Sequence, residues 1–397
     1  MTDLKNLFRQ HFGSWPVHSV QAPGRLELLG NHTDYNQGLV MSLAVDKHLQ
    51  MASAPRNDGQ IELVSSAFPE KERFACDGLE KGDSAPWANY VKGVLLQLRK
   101  RKVNFTGFNA AIHSTIPLGA GMSSSAALEI ATTLSIRRLF PFTLNPSGLA
   151  VPPKRNSRGE LPPLAKAEML ALAGVCRNAE SEFVGVNCGS LDQISCLFGK
   201  EGHLVEIDCQ HLTVEHLPMP PGVAVIVCDS GVKHALSDGA YNALRRECES
   251  AARGLGAASL RAVNAARLEA NKSKLTEREY QCAYHIVGEN RRVVCAGRAL
   301  REGDLTQLGQ LLFESHASSR DFFKNSCPEL DLLVDLARVQ PGCLGARLTG
   351  GGFGGATINF VKESEAQRFC REIAKEFEER TGSQLSPLRC RSVDGAN

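Results

Sequence analysis

Pro117-Leu118-Gly119-Ala120-Gly121-Met122-Ser123-Ser124-Ser125-Ala126 stands between a stretch with strand alternation and a stretch with helical spacing. Upstream, Phe108-Asn109-Ala110-Ala111-Ile112-His113-Ser114-Thr115 alternates in the period of a half-buried strand. Downstream, Ser124 to Leu139 sets Ala127, Ile130, Ala131 and Leu134 at helical 3-4 spacing. Glycines let such a strand-to-helix turn bring backbone N–H groups close to a ligand. The helix start adds unpaired donors and the positive end of its dipole. Together these make an anion site suited to nucleotide phosphates. Ser123, Ser124 and Ser125 offer hydroxyls for phosphate oxygens or a magnesium ion. Taken alone, the segment is equally compatible with a plain glycine/serine loop whose Ser123 or Ser124 caps the helix. No Walker A sequence occurs in the chain.

A second glycine cluster is Gly350-Gly351-Gly352-Phe353-Gly354-Gly355. A dinucleotide fingerprint needs a strand before it and a helix after it. Here the strand-like run Ala356 to Val361 follows, so the dinucleotide reading is rejected. The turn still permits close backbone approach to a ligand or another loop.

Outward from these landmarks, Gly38 to Ala52 is apolar and fairly continuous, as a buried strand would be, and Val223 to Cys228 is a short buried strand. Tyr241 to about Lys274 reads as helical, helical patterns continue to Arg338, and Ser364 to Arg380 forms an amphipathic helix. Strands and helices alternate, which gives an α/β or α+β class. Pro141 to Pro163, rich in proline with a basic polar centre, reads as a long surface loop. A domain division falls near Gln210 to Gly222, giving domains 1–212 and 213–397.

The 397 residues suffice for two domains with a substantial core. The 45 basic and 43 acidic residues nearly balance, which gives no reason to expect nucleic acid or an anionic membrane as partner. No apolar run reaches the length of a membrane span, and the charged start Met1 to Phe8 is unlike a signal peptide. The 13 cysteines form no CxxC pair and read as free thiols in a reducing cytosol. The expected form is a cytoplasmic monomer acting on a small molecule.

Three segments, in this order, resemble the GHMP kinases, and the galactokinase family most closely. Ala22-Pro23-Gly24-Arg25 through Gly30-Asn31-His32-Thr33-Asp34-Tyr35-Asn36 is similar to the family's sugar signature, Pro117 to Ala126 to its phosphate loop, and Arg347-Leu348-Thr349-Gly350 through Gly355 to its third motif. Trp87-Ala88-Asn89-Tyr90-Val91-Lys92-Gly93, Val186-Asn187-Cys188-Gly189-Ser190-Leu191-Asp192-Gln193 and Ser326-Cys327-Pro328-Glu329-Leu330 extend the likeness over nearly the whole chain. The Pro141 to Pro163 loop resembles an insertion.

The resemblance implies a mixed α/β N-terminal domain and a C-terminal domain of helices on an antiparallel sheet, with the active site between them. It implies transfer of the ATP γ-phosphate to a sugar's anomeric hydroxyl. Asp192 is then the catalytic carboxylate, with Arg25 beside it to lower its pKa and neutralise developing charge. Glu180 and Ser124 match the magnesium ligands. Gly119, Ala120, Gly121, Met122, Ser123, Ser124 and Ser125 match the phosphate loop, and Trp87 an aromatic near the adenine. Asn31, His32, Asp34, Gly189 and Tyr241 match sugar contacts.

Taken singly, each residue has an ordinary structural use. Asp34 could be a turn aspartate, Arg25 and Glu180 ion-pair partners, Asp192 a helix cap, His32 a satisfied buried histidine and Trp87 a core residue.

One position departs from the pattern. The resemblance implies glutamate, contacting the sugar's 6-hydroxyl, where this chain has Asn31. Two substrates follow: galactose with Asn31 on the 6-hydroxyl, or a C6-altered sugar such as galacturonate, which a neutral site would tolerate. A third possibility, a non-catalytic sugar sensor on the same fold, is expected to lack part of the machinery. Here Ser123, Ser124, Ser125, Glu180, Arg25 and Asp192 are all present.

Overall fold

A computed structural model describes residues 4–157, 160–232 and 237–397. Helix α1 (Leu4–Phe12) leads into the long pair β1 (His18–Leu29) and β2 (Leu39–Pro55), then β3 (Gln60–Ser65), β4 (Glu72–Ala75), α2 (Ala88–Lys100), β5 (Phe108–Ser114) and α3 (Ser124–Leu139). A short hairpin, β6 (Thr143–Leu144) and β7 (Ala150–Val151), precedes α4 (Lys166–Asn178), α5 (Leu191–Phe198), β8 (His203–Asp208) and β9 (Thr213–Pro218). The chain continues through β10 (Val223–Asp229), α6 (Ser237–Gly254), α7 (Ala265–Ala270), α8 (Glu277–Glu302), α9 (Leu305–Ser318), α10 (Pro328–Val339), β11 (Cys343–Thr349), β12 (Ala356–Lys362), α11 (Ala366–Thr381) and β13 (Leu388–Cys390).

The first sheet runs β4-β3-β5-β2-β8-β9, with β1 also on β2. It is mixed, because β3 and β5 pair in parallel while the other pairs are antiparallel. The length of β2 explains the branching. Its Leu49–Pro55 end pairs β5, its Leu39–Ser42 end pairs β8, and β1 follows it between Met41 and Ser53. The second sheet, β11-β12-β10-β13, is antiparallel and packs under α10 and α11. Residues of both sheets, from Leu26 and Met41 to Val227, Ile358 and Phe360, fall in one apolar core. The class is thus the mixed α/β architecture expected.

Helix α3 is buried from Ala126 to Arg137. A helix covered on all sides needs small or apolar residues around its whole girth, and this one supplies alanine, leucine, isoleucine and threonine. Thr132 and Thr133 donate to the carbonyls of Leu128 and Glu129, so they bring no unsatisfied hydroxyl into the core. The consequence is a rigid platform for the phosphate loop at its N-terminus.

Three expectations change. The segment from Tyr241 to Lys274 is not one helix: α6 stops at Gly254, Gly256 takes a positive φ of 62°, and α7 restarts where the Asn264 side chain accepts from Arg267 N–H. Pro141 to Pro163 is not wholly loop, since it folds into the β6–β7 hairpin, with residues 158–159 outside the described part. β9 pairs β8 over residues 213–218, so the first sheet extends past residue 212. All 13 cysteines are free.

Candidate active site

The β1 strand carries the first functional side chains. Pairing with β2 is irregular between Pro23 and Gly24 and again between Glu27 and Leu29. Such bulges re-aim side chains beside active sites. Arg25, two residues before Glu27, shares its face of the strand. The Arg25 guanidinium is buried. Its Nε donates to Asp192 Oδ1 at 2.7 Å, and its Nη1 to the Gly121 carbonyl of the phosphate loop at 2.6 Å. Asp192 lies in the first turn of α5, where a negative charge meets the positive end of the helix dipole. Its second oxygen, Oδ2, accepts a short hydrogen bond from Ser123 Oγ. Ser123 holds a positive φ of 54°. That conformation is uncommon for a residue with a Cβ, and it persists only where the surroundings fix it. Arg25, Asp192 and Ser123 are thus locked together although 167 positions separate the ion pair.

Glu180 comes from a π-helical turn, Ala179–Val184, that continues α4. Such turns frequently mark functional sites. Glu180 is buried, and burial followed by the nearby Asp192 charge raises its pKa to about 7. Ser125, Cys188 and Gln193 bond to it; Gln193 Nε2 donates to Glu180 at 2.9 Å and to the buried Glu129 at 3.0 Å. Burial likewise holds Glu129 well above the carboxylate range, and its Oε1 is buried with no partner among the described residues.

Two contiguous cavities meet at this cluster. The outer one, about 290 Å³, is lined by Pro117, Gly119, Gly121, Met122, Ser123, Ser124, Ser125, Tyr90 and Phe353. The inner one, about 130 Å³, is lined by Glu27, Asn31, His32, Asp34, Cys188, Leu191 and Asp192. Arg25, Glu180, Val186, Tyr241, Gly350 and Gly351 line both. A larger cavity of about 800 Å³ lies among α7, α8 and α9 and shares no residue with either.

Asp34 opens the short 3-10 turn Asp34–Asn36, and burial followed by the Asp192 charge raises its pKa to about 6. Gly189 does not line the cavity; it makes room for Asp34. A Cβ there would stand 2.2 Å from Asp34 Oδ2. Tyr241 packs its ring 4.8 Å from that of His32. His32 is neutral, its pKa lowered by burial to about 4. The Gly351 carbonyl at 2.9 Å can only accept, so His32 Nε2 carries the proton and Nδ1 accepts from Tyr35 Oη at 2.8 Å. With both nitrogens committed, His32 offers a bound molecule the carbon edge of its ring, not a hydrogen bond.

Asn31 is likewise spoken for. Its backbone N–H and that of Gly30 donate to Glu289 Oε2 at 2.9 Å each. Despite burial, Arg292 holds Glu289 well below the carboxylate range. The Asn31 side chain is fully buried and bonds to Glu27, Gly350 and Asn325. The expectation that it reaches a sugar hydroxyl gives way to this packing. Ala120 is buried behind the loop, and Trp87 stands outside both cavities with its ring stacked on Phe68 at 6.1 Å. Tyr90, one turn further along α2, lines the outer cavity instead.

Sequence reasoning missed Glu27, Tyr90, Gln193 and Glu129. The period of two on β1 puts Glu27 beside Arg25, which was a usable signal. Glu129 lies mid-helix and carried none.

Comparison with known proteins identifies the family and the fold. Residues 6–55 match a galactokinase galactose-binding signature, 89–151 a GHMP kinase N-terminal domain and 298–379 a GHMP kinase C-terminal domain. The chain is 39% identical to a galactokinase of Roseiflexus sp. (strain RS-1), covering 99% of this chain and 96% of that protein. It is 38% identical to a galactokinase of Homo sapiens, covering 100% and 96%. A crystal structure of Lactococcus lactis galactokinase complexed with galactose superposes with a TM-score of 0.89 at 30% identity, covering 99% of this chain and 98% of that one. A mevalonate kinase at 17% identity and TM-score 0.61 shares the fold.

Proposed function

The chain belongs to the galactokinase family of the GHMP kinases, and from that membership we propose that it converts galactose and ATP to galactose 1-phosphate and ADP. The observation that carries this reading is the Arg25–Asp192–Ser123 cluster at the junction of a glycine-walled outer cavity and a carboxylate-lined inner one.

ATP phosphates lie in the outer cavity, where the loop N–H groups and the α3 dipole favour negative charge. The sugar lies in the inner cavity with its anomeric hydroxyl at the junction. Its oxygen forms a bond to the γ-phosphorus while the bond from that phosphorus to the β–γ bridging oxygen breaks. The hydroxyl proton passes to Asp192. Arg25 offsets the charge spread over the transferring group, in a reaction that depends on positioning and electrostatics more than on covalent help. Because Arg25 also holds the Gly121 carbonyl, it fixes the loop and the carboxylate relative to each other. Asp34, made basic by burial and given space by Gly189, accepts from sugar hydroxyls.

A magnesium ion fits the donor set. No cluster of three or more His, Cys, Asp or Glu side chains suited to a metal occurs among the described residues. One buried carboxylate, Glu180, does stand with the serine hydroxyls at the mouth of the phosphate loop. Magnesium takes one or two carboxylates and completes its shell with water and substrate phosphates. Glu180 with Ser124 would hold the ion, and Ser125 and Gln193 would orient the carboxylate. Bound there, it neutralises phosphate charge. A coupled ADP-release assay tests the reading: galactose turnover well above glucose and mevalonate supports it, and no turnover with any sugar despite ATP binding refutes it.

A further inference from the structure

In the wall of the inner cavity stands a carboxylate that the family comparison does not assign. Asn31 cannot serve a ligand there. Both its Nδ2 hydrogens are used, on Glu27 Oε1 at 3.0 Å and the Gly350 carbonyl at 2.8 Å, and its Oδ1 accepts from Asn325 Nδ2 at 2.9 Å. Glu27 is different. Its Oε1 is taken by Asn31 and by Arg347 Nη1 at 3.0 Å, but no described residue donates to its Oε2. Glu27 is 3% exposed, and it lines the inner cavity. Its backbone is clamped in both directions by Thr349, with Glu27 N–H donating to Thr349 Oγ1 and Thr349 Oγ1 donating to the Glu27 carbonyl, each at 3.0 Å. The side chain is therefore a fixed carboxylate with one oxygen committed to the protein and one left for whatever fills the cavity.

The orientation of a sugar in this cavity follows from the reaction. The anomeric hydroxyl must face Asp192 and Arg25 at the junction. In a hexopyranose the opposite side of the ring carries C4 and, beside it on C5, the C6 hydroxymethyl group. Arg25 bonds the Met122 and Gly121 carbonyls of the phosphate loop, and Glu27 stands two residues, about 7 Å, further along β1 on the same face, so it lies away from the junction.

We propose that Glu27 is the specificity-determining residue of the sugar site: its Oε2 accepts a hydrogen bond from the 6-hydroxyl and its charge turns away sugars whose C6 is a carboxylate. This rests on the sugar 1-kinase reading above. Arg347 does not rescue a uronate, because its guanidinium is fully buried, is paired to Glu27 and lines neither cavity. Burial pushes the Glu27 carboxyl up and the Arg347 and Arg25 charges pull it back, while a buried arginine deprived of its partner is strongly destabilising. A sugar without the 6-hydroxyl leaves Oε2 buried without a donor, and a site built to bond a hydroxyl rejects the analogue lacking it.

The test compares kcat/KM for galactose, 6-deoxygalactose and galacturonate on the unaltered protein, Glu27→Asp and Glu27→Gln. The unaltered protein is expected to favour galactose over both analogues by roughly 10²-fold or more. Glu27→Asp keeps the charge for Arg347 and withdraws the free oxygen by about one C–C bond, ~1.5 Å. It lowers kcat/KM for galactose but not for 6-deoxygalactose. Glu27→Gln removes the charge and narrows the margin against galacturonate. If the unaltered protein uses 6-deoxygalactose or galacturonate as well as galactose, the inference is overturned with no variant needed. It is also overturned if folded variants, judged by thermal melting, keep the unaltered ratios. If no sugar is phosphorylated at all, the kinase reading has failed, and the inference falls with it.

Discussion

Gly189→Ala adds one methyl group at the point where α5 begins, and the structure fixes what that methyl meets. A Cβ there would lie 2.2 Å from Asp34 Oδ2, 2.3 Å from Cγ and 2.7 Å from Cβ. The carboxylate alone could swing aside about χ1. Asp34 Cβ moves only with its backbone, and carbon atoms pack no closer than about 3.5 Å, so roughly 0.8 Å must be found between α5 and the 30–37 loop. The carboxylate, pushed by the same methyl, is displaced by at least as much. A misplacement of about 1 Å in such a site costs on the order of 10²-fold, so kcat/KM for galactose should fall about 100-fold, or ~2.7 kcal/mol of transition-state stabilisation. The outer cavity contains neither Gly189 nor Asp34, so ATP affinity should hold. Overpacking should also cost about 1–3 kcal/mol of stability, visible in denaturant melts. The assay pair is coupled ADP release for the sugar and calorimetric titration of ATP. A folded Gly189→Ala protein with unaltered kcat/KM would refute the reasoning, because either Asp34 is not a sugar ligand or Gly189 does not place it.

Asp192→Asn should lower turnover by about 10²–10⁴-fold while ATP binding, followed by titration, survives; near-normal turnover would remove Asp192 from the mechanism. Gln193→Ala frees Glu180 to turn, and loss of such an outer partner should raise the magnesium requirement for activity about 10–100-fold, read from a magnesium titration after chelation. Because burial and then Asp192 raise Asp34 to about 6, kcat/KM for galactose should fall as pH drops through about 6, and Asp34→Asn should lose that limb along with most activity. Glu180 gives a stability test. Its folded pKa, raised by burial and then Asp192 to about 7, exceeds the unfolded value, so the metal-free fold binds that proton more tightly than the unfolded chain. The stabilisation is complete below the unfolded carboxylate pKa and is lost as pH rises through about 7, so metal-free melting temperature should fall between about pH 5 and about pH 8, and less so in Glu180→Gln.

Local periodicity made much of the framework legible. The strand-turn-helix around Pro117 to Ala126 reads from alternation, glycine and helical spacing, and α3 begins and ends as that spacing predicts. The expected strands at β2, β5, β10 and β12 and the helix α11 are all present, because each buries a face whose pattern is written in consecutive residues. Where the pattern was only compositional it failed. The alanine- and arginine-rich run after Tyr241 carries helix propensity throughout, yet Gly254, Gly256 and the cap at Asn264 divide it. The proline-rich segment before Pro163 hid a hairpin too short to show alternation.

The sequence by itself determined which chemical groups this protein possesses: a phosphate turn, an arginine and a carboxylate to accompany it, and a glutamate for a hard cation. Those are properties of residue type and short spacing, and they survive in any unfolded copy of the chain. Which groups are free to act was decided only by tertiary structure. Asn31 and His32 both belong to the sugar segment, yet Gly350, Gly351, Asn325 and Tyr35 consume their hydrogen-bonding capacity. Glu27 keeps an oxygen open to the cavity because Arg347, 320 positions away, takes the other. A hydrogen bond between such distant residues leaves no trace in local periodicity, and the availability of a buried polar atom is set by its partners rather than by its own identity.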